Sequence, residues 1–299
     1  MSRLVVLAGG LGGSRCVDAL ARAAGAEAIT AIVNVGDDVD ILGLHVSPDV
    51  DTVLYTLAGL LDEGRGWGVR DETYNSLEMA ARLGGESWFT LGDRDIGLHL
   101  VRTALLRDGV RLSAVTARLT KALGVAVRLL PATDDRLRTK VATESGELDF
   151  QEWFVARGHR DHVTGLRYEG AESAQPAPGV LAAIGTAELV VLAPSNPFVS
   201  IEPILAVPGI REAVVSKRAV AVSPLAGGRA FRGPLAEMMT SLGHEPNALG
   251  VARLYGDLVD TFVVAPGDEG PPGAVTADID MVAPARREEV GRKLLEALL

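Results

Sequence analysis

Aspartates cluster in one short segment of the sequence, directly after an apolar run that predicts a β-strand. Five of them lie within fifteen residues, namely Asp37, Asp38, Asp40, Asp49 and Asp51. Carboxylates gathered at a strand end repel one another unless a cation binds there, and Mg²⁺ held together with substrate phosphates is a common solution. We therefore predict that Asp38 and Asp51 bind a metal or a substrate. The alternatives are a solvated loop in which Asp51 caps the next helix, or an acid that binds a ribose hydroxyl.

A glycine-rich turn precedes this acidic segment. Gly9-Gly10-Leu11-Gly12-Gly13 lies between an apolar run and a helical pattern, and Arg15 follows one turn into that pattern. Glycines allow backbone amides to approach a phosphate, and a helix N-terminus adds favourable charge. Arg15 stands where a dinucleotide-binding turn needs a small residue, and the Gly-Lys-Ser/Thr of a P-loop is absent. The sequence predicts a nonstandard phosphate loop, with a tight turn that binds nothing as the alternative.

Two later turns follow predicted strands in the same way. Ser195 and Asn196 lie between two prolines, and the segment Ser223–Arg229 contains Pro224, Gly227 and Gly228. Rigid turns of this kind expose polar groups and backbone amides at the carboxyl ends of strands. We predict that both contact a nucleotide, and ordinary strand–helix connections are the alternative.

An aromatic pair runs into a charged turn in Trp88-Phe89-Thr90-Leu91-Gly92-Asp93-Arg94-Asp95, and His99 follows. Aromatic side chains beside charged groups suit a flat heterocycle with polar edges. The alternative is an apolar segment followed by an internally paired Arg–Asp turn, with His99 in a structural role.

Strands and helices alternate around these motifs, which predicts an α/β fold with a Rossmann-like parallel sheet. The glycine turn follows a strand at Leu4–Ala8, and the acidic segment follows a strand at 28–35. Further strands are predicted at 188–193, 218–222 and 261–265, and a short one at Trp88–Leu91. We predict a nucleotide-binding core formed by residues 1–60 and 171–299. Residues 61–170 are predicted to form a mainly helical inserted subdomain.

Composition narrows the class of protein. The chain has 299 residues, of which 47% are hydrophobic, and a net charge of −10. This charge argues against nonspecific nucleic-acid binding, and no stretch is long and apolar enough to predict a membrane span. The single cysteine, Cys16, excludes an internal disulfide and is expected to fill core space. We expect a cytoplasmic protein.

The motifs together resemble the 2-phospho-L-lactate transferase family of coenzyme F-420 biosynthesis. The resemblance extends to about residue 239, and its specific blocks are Ser47-Pro48-Asp49-x-Asp51-Thr52-Val53-Leu54-Tyr55 and the segment from Pro194 to Leu205. It implies transfer of a phosphoenolpyruvate or 2-phospho-L-lactate group from a guanosine diphosphate donor to the ribitol hydroxyl of the deazaflavin Fo, with GMP as the leaving group. It also implies Mg²⁺ as cofactor and a homodimer.

The resemblance assigns roles to residues of this sequence. Asp51 and Arg94 match positions that contact Fo, and the motif readings extend that site to Thr52, Trp88, Asp93 and His99. Asp37, Asp38 and Asp51 become the metal ligands, and Asp38 and Asp51 the catalytic pair, with Asp51 either a ligand or a general base. The guanosine diphosphate portion is assigned to Gly10, Gly12, Gly13, Arg15, Ser195, Asn196, Pro224, Gly227 and Gly228.

Two points stay open at this level. Arg232 stands where many relatives have lysine, and the two side chains are not interchangeable at a phosphate. No residue distinguishes a lactate donor from an enolpyruvate donor.

The competing functions are a related regulatory protein that binds nucleotide sugars and, more remotely, an NAD-dependent dehydrogenase.

Overall fold

The computed structural model of the protein describes residues 3–230 and 233–298, and within them a parallel sheet forms the centre. The strands in chain order are β1 (Leu4–Ala8), β2 (Ile29–Val33), β3 (Val39–Ile41), β4 (Leu44–Val46), β5 (Arg128–Pro131), β6 (Arg138–Thr143), β7 (Gly146–Asp149), β8 (Val163–Glu169), β9 (Leu189–Leu192), β10 (Ala219–Val222), β11 (Leu225–Ala226), β12 (Arg229–Ala230), β13 (Thr261–Val264) and β14 (Val275–Thr276).

Helices cover both faces of this sheet and bury its apolar strands. In chain order they are α1 (Gly10–Ala24), α2 (Pro48–Leu57), α3 (Asn75–Arg82), α4 (Asp93–Arg107), α5 (Leu112–Ala122), α6 (Val180–Thr186), α7 (Glu202–Leu205), α8 (Ile210–Val215), α9 (Leu235–Ser241), α10 (Ala248–Tyr255) and α11 (Arg287–Leu298). No helix within the described ranges is long and apolar enough to cross a membrane.

The central sheet has the strand order β14-β13-β10-β9-β1-β2-β5, and every neighbouring pair is parallel. From β1 the chain moves to β2 on one side, whereas β9 pairs on the other side. The order therefore reverses between β1 and β9, and the loops after these strands diverge. Such a switch point is where open α/β sheets bind ligands. The α/β fold with a Rossmann-like parallel sheet is confirmed.

The inserted segment contributes both helices and strands. Residues 61–170 contain α3, α4 and α5, strand β5 of the central sheet, and a separate antiparallel sheet ordered β7-β6-β8. The amide of Thr139 in β6 donates a hydrogen bond to the carbonyl of Gly36, so this small sheet lies against the loop after β2. The domain boundaries at 60 and 171 stay a prediction.

Three local expectations change. The predicted strand at Trp88–Leu91 is wrong, because this segment is irregular and packs its apolar side chains against the β3–β4 hairpin. That hairpin interrupts the acidic segment and was not predicted. Helix α1 begins at Gly10, so the glycines that the sequence places before the helical pattern form its first turn.

Candidate functional site

A cavity of about 510 Å³ lies at the carboxyl ends of β1, β2, β9 and β10. It collects most of the motifs that the sequence singles out. Its polar and glycine lining includes Gly9, Gly10, Gly12, Arg15, Asp37, Asp49, Asp51, Thr52, Tyr55, Asp95, His99, Gln151, Ser195, Asn196 and Ser200. Its aromatic and apolar lining includes Trp67, Phe89, Phe150, Phe154, Val199, Pro224, Leu235, Ile279, Met281 and Val282.

The glycines bring the start of α1 close to two other parts of the site. Gly10 has a φ of +61°, and a Cβ on Gly12 would overlap the carbonyl oxygen of Pro194. A Cβ on Gly13 would lie 2.5 Å from Oγ of Ser195. The first amides of a helix have no partner within the helix and carry its positive dipole end. The cavity is therefore lined by a helix N-terminus suited to an anion.

The turn after β9 is tied directly to the glycine turn. Oγ of Ser195 donates a hydrogen bond of 2.8 Å to the carbonyl of Gly9 and accepts one of 3.2 Å from the Gly9 amide. Oδ1 of Asn196 accepts from the amide of Phe198, 3.0 Å away, and so caps the turn that follows. Both residues line the cavity where the sequence predicts nucleotide contacts, and their side chains also fix the backbone of the site.

Two buried carboxylates share the amide of Asn34. Its Nδ2 donates to Oδ2 of Asp49 at 2.9 Å and to Oδ1 of Asp37 at 3.3 Å, and Asp49 also accepts from the amide of Gly10 at 2.6 Å. Burial, with a smaller contribution from the charge of Asp38, raises the pKa of Asp49 to about 7. Burial and the charges of Asp49 and Asp38 raise the pKa of Asp37 well above its usual range. A cation bound beside them would relieve this repulsion.

Asp38 follows Asp37 but lines a second cavity of about 220 Å³, which shares Asp37, Phe150 and Gln151 with the first. Oδ2 of Asp38 accepts from Oγ of Ser47 at 3.0 Å and lies 3.0 Å from Nε2 of His45. Oδ1 of Asp38 is buried and has no hydrogen-bond partner among the described residues. A buried carboxylate oxygen without a partner is an acceptor that a bound cation could satisfy.

These acids fit Mg²⁺ in the way that the ion is usually bound. Within the described ranges, no group of three or more His, Cys, Asp or Glu side chains is arranged to hold a metal ion by itself. Mg²⁺ rarely needs such a group, because one or two carboxylates together with substrate phosphates and water complete its octahedron. The unpartnered oxygen of Asp38 could be one ligand of the ion. The carboxylates of Asp37 and Asp49, which repel each other, could supply the others.

Asp51 differs from the other acids because an arginine already neutralises it. Nη1 of Arg102 lies 2.9 Å from Oδ2 of Asp51, and its Nη2 pairs with Oδ1, so the guanidinium grips both carboxylate oxygens. Arg102 is fully buried in α4, whereas Asp51 lies in the first turn of α2 and lines the cavity. Asp51 therefore does not cap its helix, since Ser47 occupies that position.

A hydrogen-bonded group beside this pair includes His99. Its Nε2 lies 3.1 Å from Oδ1 of Asp95 but is not aligned for a hydrogen bond, and that oxygen accepts one of 2.5 Å from the hydroxyl of Tyr55. Burial and the nearby carboxylates of Asp51 and Asp95 raise the pKa of Tyr55, so the phenol stays protonated and donates. Tyr55, Asp95 and His99 all line the cavity, and Thr52 lies beside them with its hydroxyl bonded to the Pro48 carbonyl.

The aromatic lining differs from the pair that the sequence indicates. Phe89 lines the cavity, whereas Trp88 lies outside the lining and donates its Nε1 proton to Glu86. Other aromatic side chains come from distant segments, namely Trp67 from the loop before α3 and Phe150 and Phe154 from the turn after β7. Phe150 and Phe154 stack with centroids 5.4 Å apart and planes 8° apart.

Asp93 and Arg94 lie in the first turn of α4 and outside the cavity lining. Asp93 accepts from the side chain of Thr73 and the amide of Ser76, bonds that hold its pKa below its usual range and anchor the start of α3. Nη1 of Arg94 donates to the carbonyl of Arg70, in the loop that brings Trp67 to the cavity. Among the described residues neither neighbouring aspartate pairs with Arg94, and its contact with a substrate stays a prediction.

Arg15 lines the cavity and also joins α1 to the C-terminal helix. Its Nη2 lies 3.1 Å from Glu63, which in turn pairs with the buried Arg287 of α11, and Arg287 also bonds Asp18. Pro224 lines the cavity as well, whereas Gly227 and Gly228 lie outside its lining at the β11–β12 turn. Arg232 lies outside the described residues.

Sequence reasoning missed Arg102, Asp49 and the distant aromatic residues. Asp49 carried a signal, because it belongs to the acidic segment, but the sequence assigned it no role. Arg102 carried none, because its partner Asp51 is far away in sequence. Only a hydrogen-bonded tertiary contact reveals its role.

The chain is similar to known proteins over nearly its whole length. The chain matches the family model described as 2-phospho-L-lactate transferase CofD over residues 4–288. It is similar to the phosphoenolpyruvate transferase of Streptomyces griseus subsp. griseus, with 48% identity over 90% of this chain and 87% of that protein. Identity to the phosphoenolpyruvate transferase of Thermobifida fusca is 45%, over 94% and 91%. Identity to the 2-phospho-L-lactate transferase of Methanopyrus kandleri is 42%, over 85% and 81%.

Among solved structures, a UPF0052 family protein from Bacillus halodurans superposes with a TM-score of 0.59. The match covers 100% of both chains at 19% identity. Similarity at this level supports the fold alone.

Proposed function

The chain belongs to the 2-phospho-L-lactate transferase family, and on this premise we propose that it transfers a phosphoenolpyruvate or 2-phospho-L-lactate group to the deazaflavin Fo (7,8-didemethyl-8-hydroxy-5-deazariboflavin). The donor is a guanosine diphosphate ester, and GMP is released. The reaction is a step of coenzyme F-420 biosynthesis.

One observation carries the proposal. A single cavity is lined both by the glycine-rich N-terminus of α1 and by aromatic side chains beside the ion-paired Asp51. The first feature suits a diphosphate, and the second suits a flat heterocycle that carries a hydroxylated chain. A reaction between two substrates needs both within reach of each other.

The reaction is a displacement at phosphorus. The ribitol hydroxyl oxygen of Fo forms a bond to the distal phosphorus of the donor, and the bond from that phosphorus to the bridging oxygen breaks. GMP leaves with the bridging oxygen, and the hydroxyl proton is released. Such transfers depend mainly on positioning and charge stabilisation. The amides at the start of α1 would bind the diphosphate, and the carboxylate of Asp51 would accept a hydrogen bond from the attacking hydroxyl.

We propose that Asp37 and Asp38, with Asp49 beside them, hold the Mg²⁺ that the family implies. When bound, the ion would neutralise charge on the donor phosphates. Asn34 and Gln151 would keep the carboxylates in place, since Nε2 of Gln151 donates to Oδ2 of Asp37 at 3.2 Å.

Incubation of the purified protein with Fo, a synthetic guanosine diphosphate ester and Mg²⁺ tests this function. Mass spectrometry should detect the phosphodiester product and an equal amount of GMP. Parallel reactions with the lactate and the enolpyruvate donors decide which group is transferred. Failure with both donors, while Fo and GDP still bind, would contradict the proposal.

Two further expectations follow from the family. We propose a homodimer and a cytoplasmic location. Light scattering after gel filtration tests the first, and fractionation of cells that express a tagged chain tests the second.

A further inference from the structure

The buried guanidinium of Arg102 is the starting point. Arg102 lies in the middle of α4 with 0% of its surface exposed. Removing an arginine from water is costly unless its charge and its donors are matched by partners. Asp51 matches its charge and accepts from both Nη1 and Nη2, while Nε has no hydrogen-bond partner among the described residues. The sequence places Asp51 among the metal ligands and the acceptor contacts.

The hydrogen bonds around Arg102 have a fixed direction. A guanidinium only donates, so Nδ1 of His99, which lies 3.3 Å from Nη1, must accept. The His99 proton is then on Nε2, which faces Asp95. Asp95 accepts a hydrogen bond from Tyr55, and Arg102 donates to both His99 and Asp51. Nε2 of His99 lies close to Asp95 but is not aligned for a hydrogen bond.

This arrangement limits what Asp51 can do. Each carboxylate oxygen of Asp51 accepts one hydrogen bond from Arg102. A carboxylate oxygen can accept more than one, so Asp51 can still accept a hydrogen bond from a ligand in the cavity. Arg102 already supplies a full positive charge to Asp51, whereas among the described residues no arginine or lysine forms an ion pair with Asp37 or Asp49, which accept only from amides. A divalent cation gains more beside the unneutralised carboxylates than beside Asp51.

We propose that Arg102 is a positioning residue for the acceptor substrate. It holds the Asp51 carboxylate in one orientation at the cavity wall, where Asp51 accepts a hydrogen bond from Fo rather than binding the metal. His99 contacts the guanidinium from the other side, through its Nδ1. This inference rests on the proposed function, because it names the group that orients one of the two proposed substrates.

The affinities of two separate ligands test the proposal. Fo and GDP are titrated, each alone, against the wild-type protein, Arg102→Lys and the control Arg107→Lys, which alters an exposed arginine of the same helix. Lysine keeps the positive charge but lacks the planar pair of donors that binds both carboxylate oxygens of Asp51. We expect Arg102→Lys to weaken Fo binding about tenfold and to change GDP binding less than about twofold. The control should bind both ligands like the wild type.

A charge-neutral double variant separates positioning from stability. Asp51→Asn leaves Arg102 buried without a counter-charge, whereas the double variant Asp51→Asn with Arg102→Gln removes both charges. The double variant should therefore melt at a higher temperature than Asp51→Asn, yet bind Fo equally weakly. If Arg102→Lys fails to fold, Asp51→Glu replaces it, because it keeps both charges and displaces the carboxylate, and it should also lose Fo affinity.

The outcomes are distinguishable from those of the proposed function. A wild-type protein that does not bind Fo would contradict the proposed function itself. Wild-type Fo affinity in Arg102→Lys or in Asp51→Glu would overturn the role of Arg102. An equal loss of Fo and GDP binding would also overturn it, because it would indicate a general loss of structure rather than a specific effect on Fo. A double variant that binds Fo far more weakly than Asp51→Asn would show that Arg102 does not act through Asp51.

Discussion

Gly12 packs so closely against Pro194 that a Cβ on Gly12 would overlap the Pro194 carbonyl oxygen. The contact joins the first turn of α1 to the loop after β9, on the two sides of the switch point in the sheet. The glycine turn is therefore a packing requirement as well as a means of exposing amides. Because Gly12 has no side chain, the first turn of α1 can approach the loop after β9 this closely, and its backbone lines the cavity.

Gly12→Ala should lose donor binding and stability together. The overlap must be relieved by backbone movement, and overpacking of this kind costs about 1–3 kcal/mol. The matched control is Gly185→Ala in α6, where a Cβ meets nothing within 4 Å. Removing a glycine from a helix there should stabilise the protein by about 0.5–1 kcal/mol. Urea unfolding and GDP titration measure both effects, and wild-type behaviour of Gly12→Ala would contradict the packing argument.

Asp51→Asn should abolish transfer and also lower stability. The amide lacks the charge that matches Arg102, and breaking one side of a buried pair costs about 3 kcal/mol or more. Far-UV circular dichroism at low temperature should remain native, while the melting temperature falls. Asp40→Asn, at a side chain with 71% exposure, is the control and should change neither property. Wild-type turnover in Asp51→Asn would refute the role of this residue.

Mg²⁺ should stabilise the protein before any substrate is added. Asp37, Asp38 and Asp49 are buried and repel one another. A cation bound beside them should therefore stabilise the folded state. At a hundred times its dissociation constant the ion would add about 2.7 kcal/mol. The melting temperature should rise with Mg²⁺, return on chelation, and respond far less in Asp37→Asn. The same rise in Asp37→Asn as in the wild type would exclude this carboxylate as a ligand.

Cys16 should be unreactive in the native protein. Burial raises the pKa of its thiol to about 12, and the residue is fully buried in α1. The thiolate is the reacting species, so almost none is present at mildly alkaline pH. Iodoacetamide should label the chain only after denaturation, as mass spectrometry can show. Rapid labelling of the native enzyme would mean that α1 opens readily.

The sequence was most informative where short-range signals determine structure. Leu4–Ala8 is a continuous apolar run that ends in glycines, and the structure has that strand with the same bounds. Motifs placed directly after predicted strands converge at one cavity, because the carboxyl ends of parallel strands meet at one edge of the sheet. The fold and the position of this cavity were predictable for this reason.

Long-range pairing was not predictable. Trp88 and Phe89 favour a strand by propensity, but the hairpin formed by β3 and β4 gives them an apolar surface to pack against instead. Arg102 looks like an ordinary solvated residue of a helix until α2 brings Asp51 within 2.9 Å. The different surroundings of the acids depend on such partners: Asp51 pairs with an arginine, Asp49 accepts from a backbone amide, and Asp40 is exposed.

The central claim is that one cavity joins a guanosine diphosphate ester to Fo. The most direct test is a single-turnover reaction of the purified protein with Fo, Mg²⁺ and either synthetic donor, followed by mass spectrometry. We expect one of the donors to give the Fo phosphodiester and GMP in equal amounts. GMP release without the Fo product, or no reaction with either donor while both ligands bind, would contradict the account.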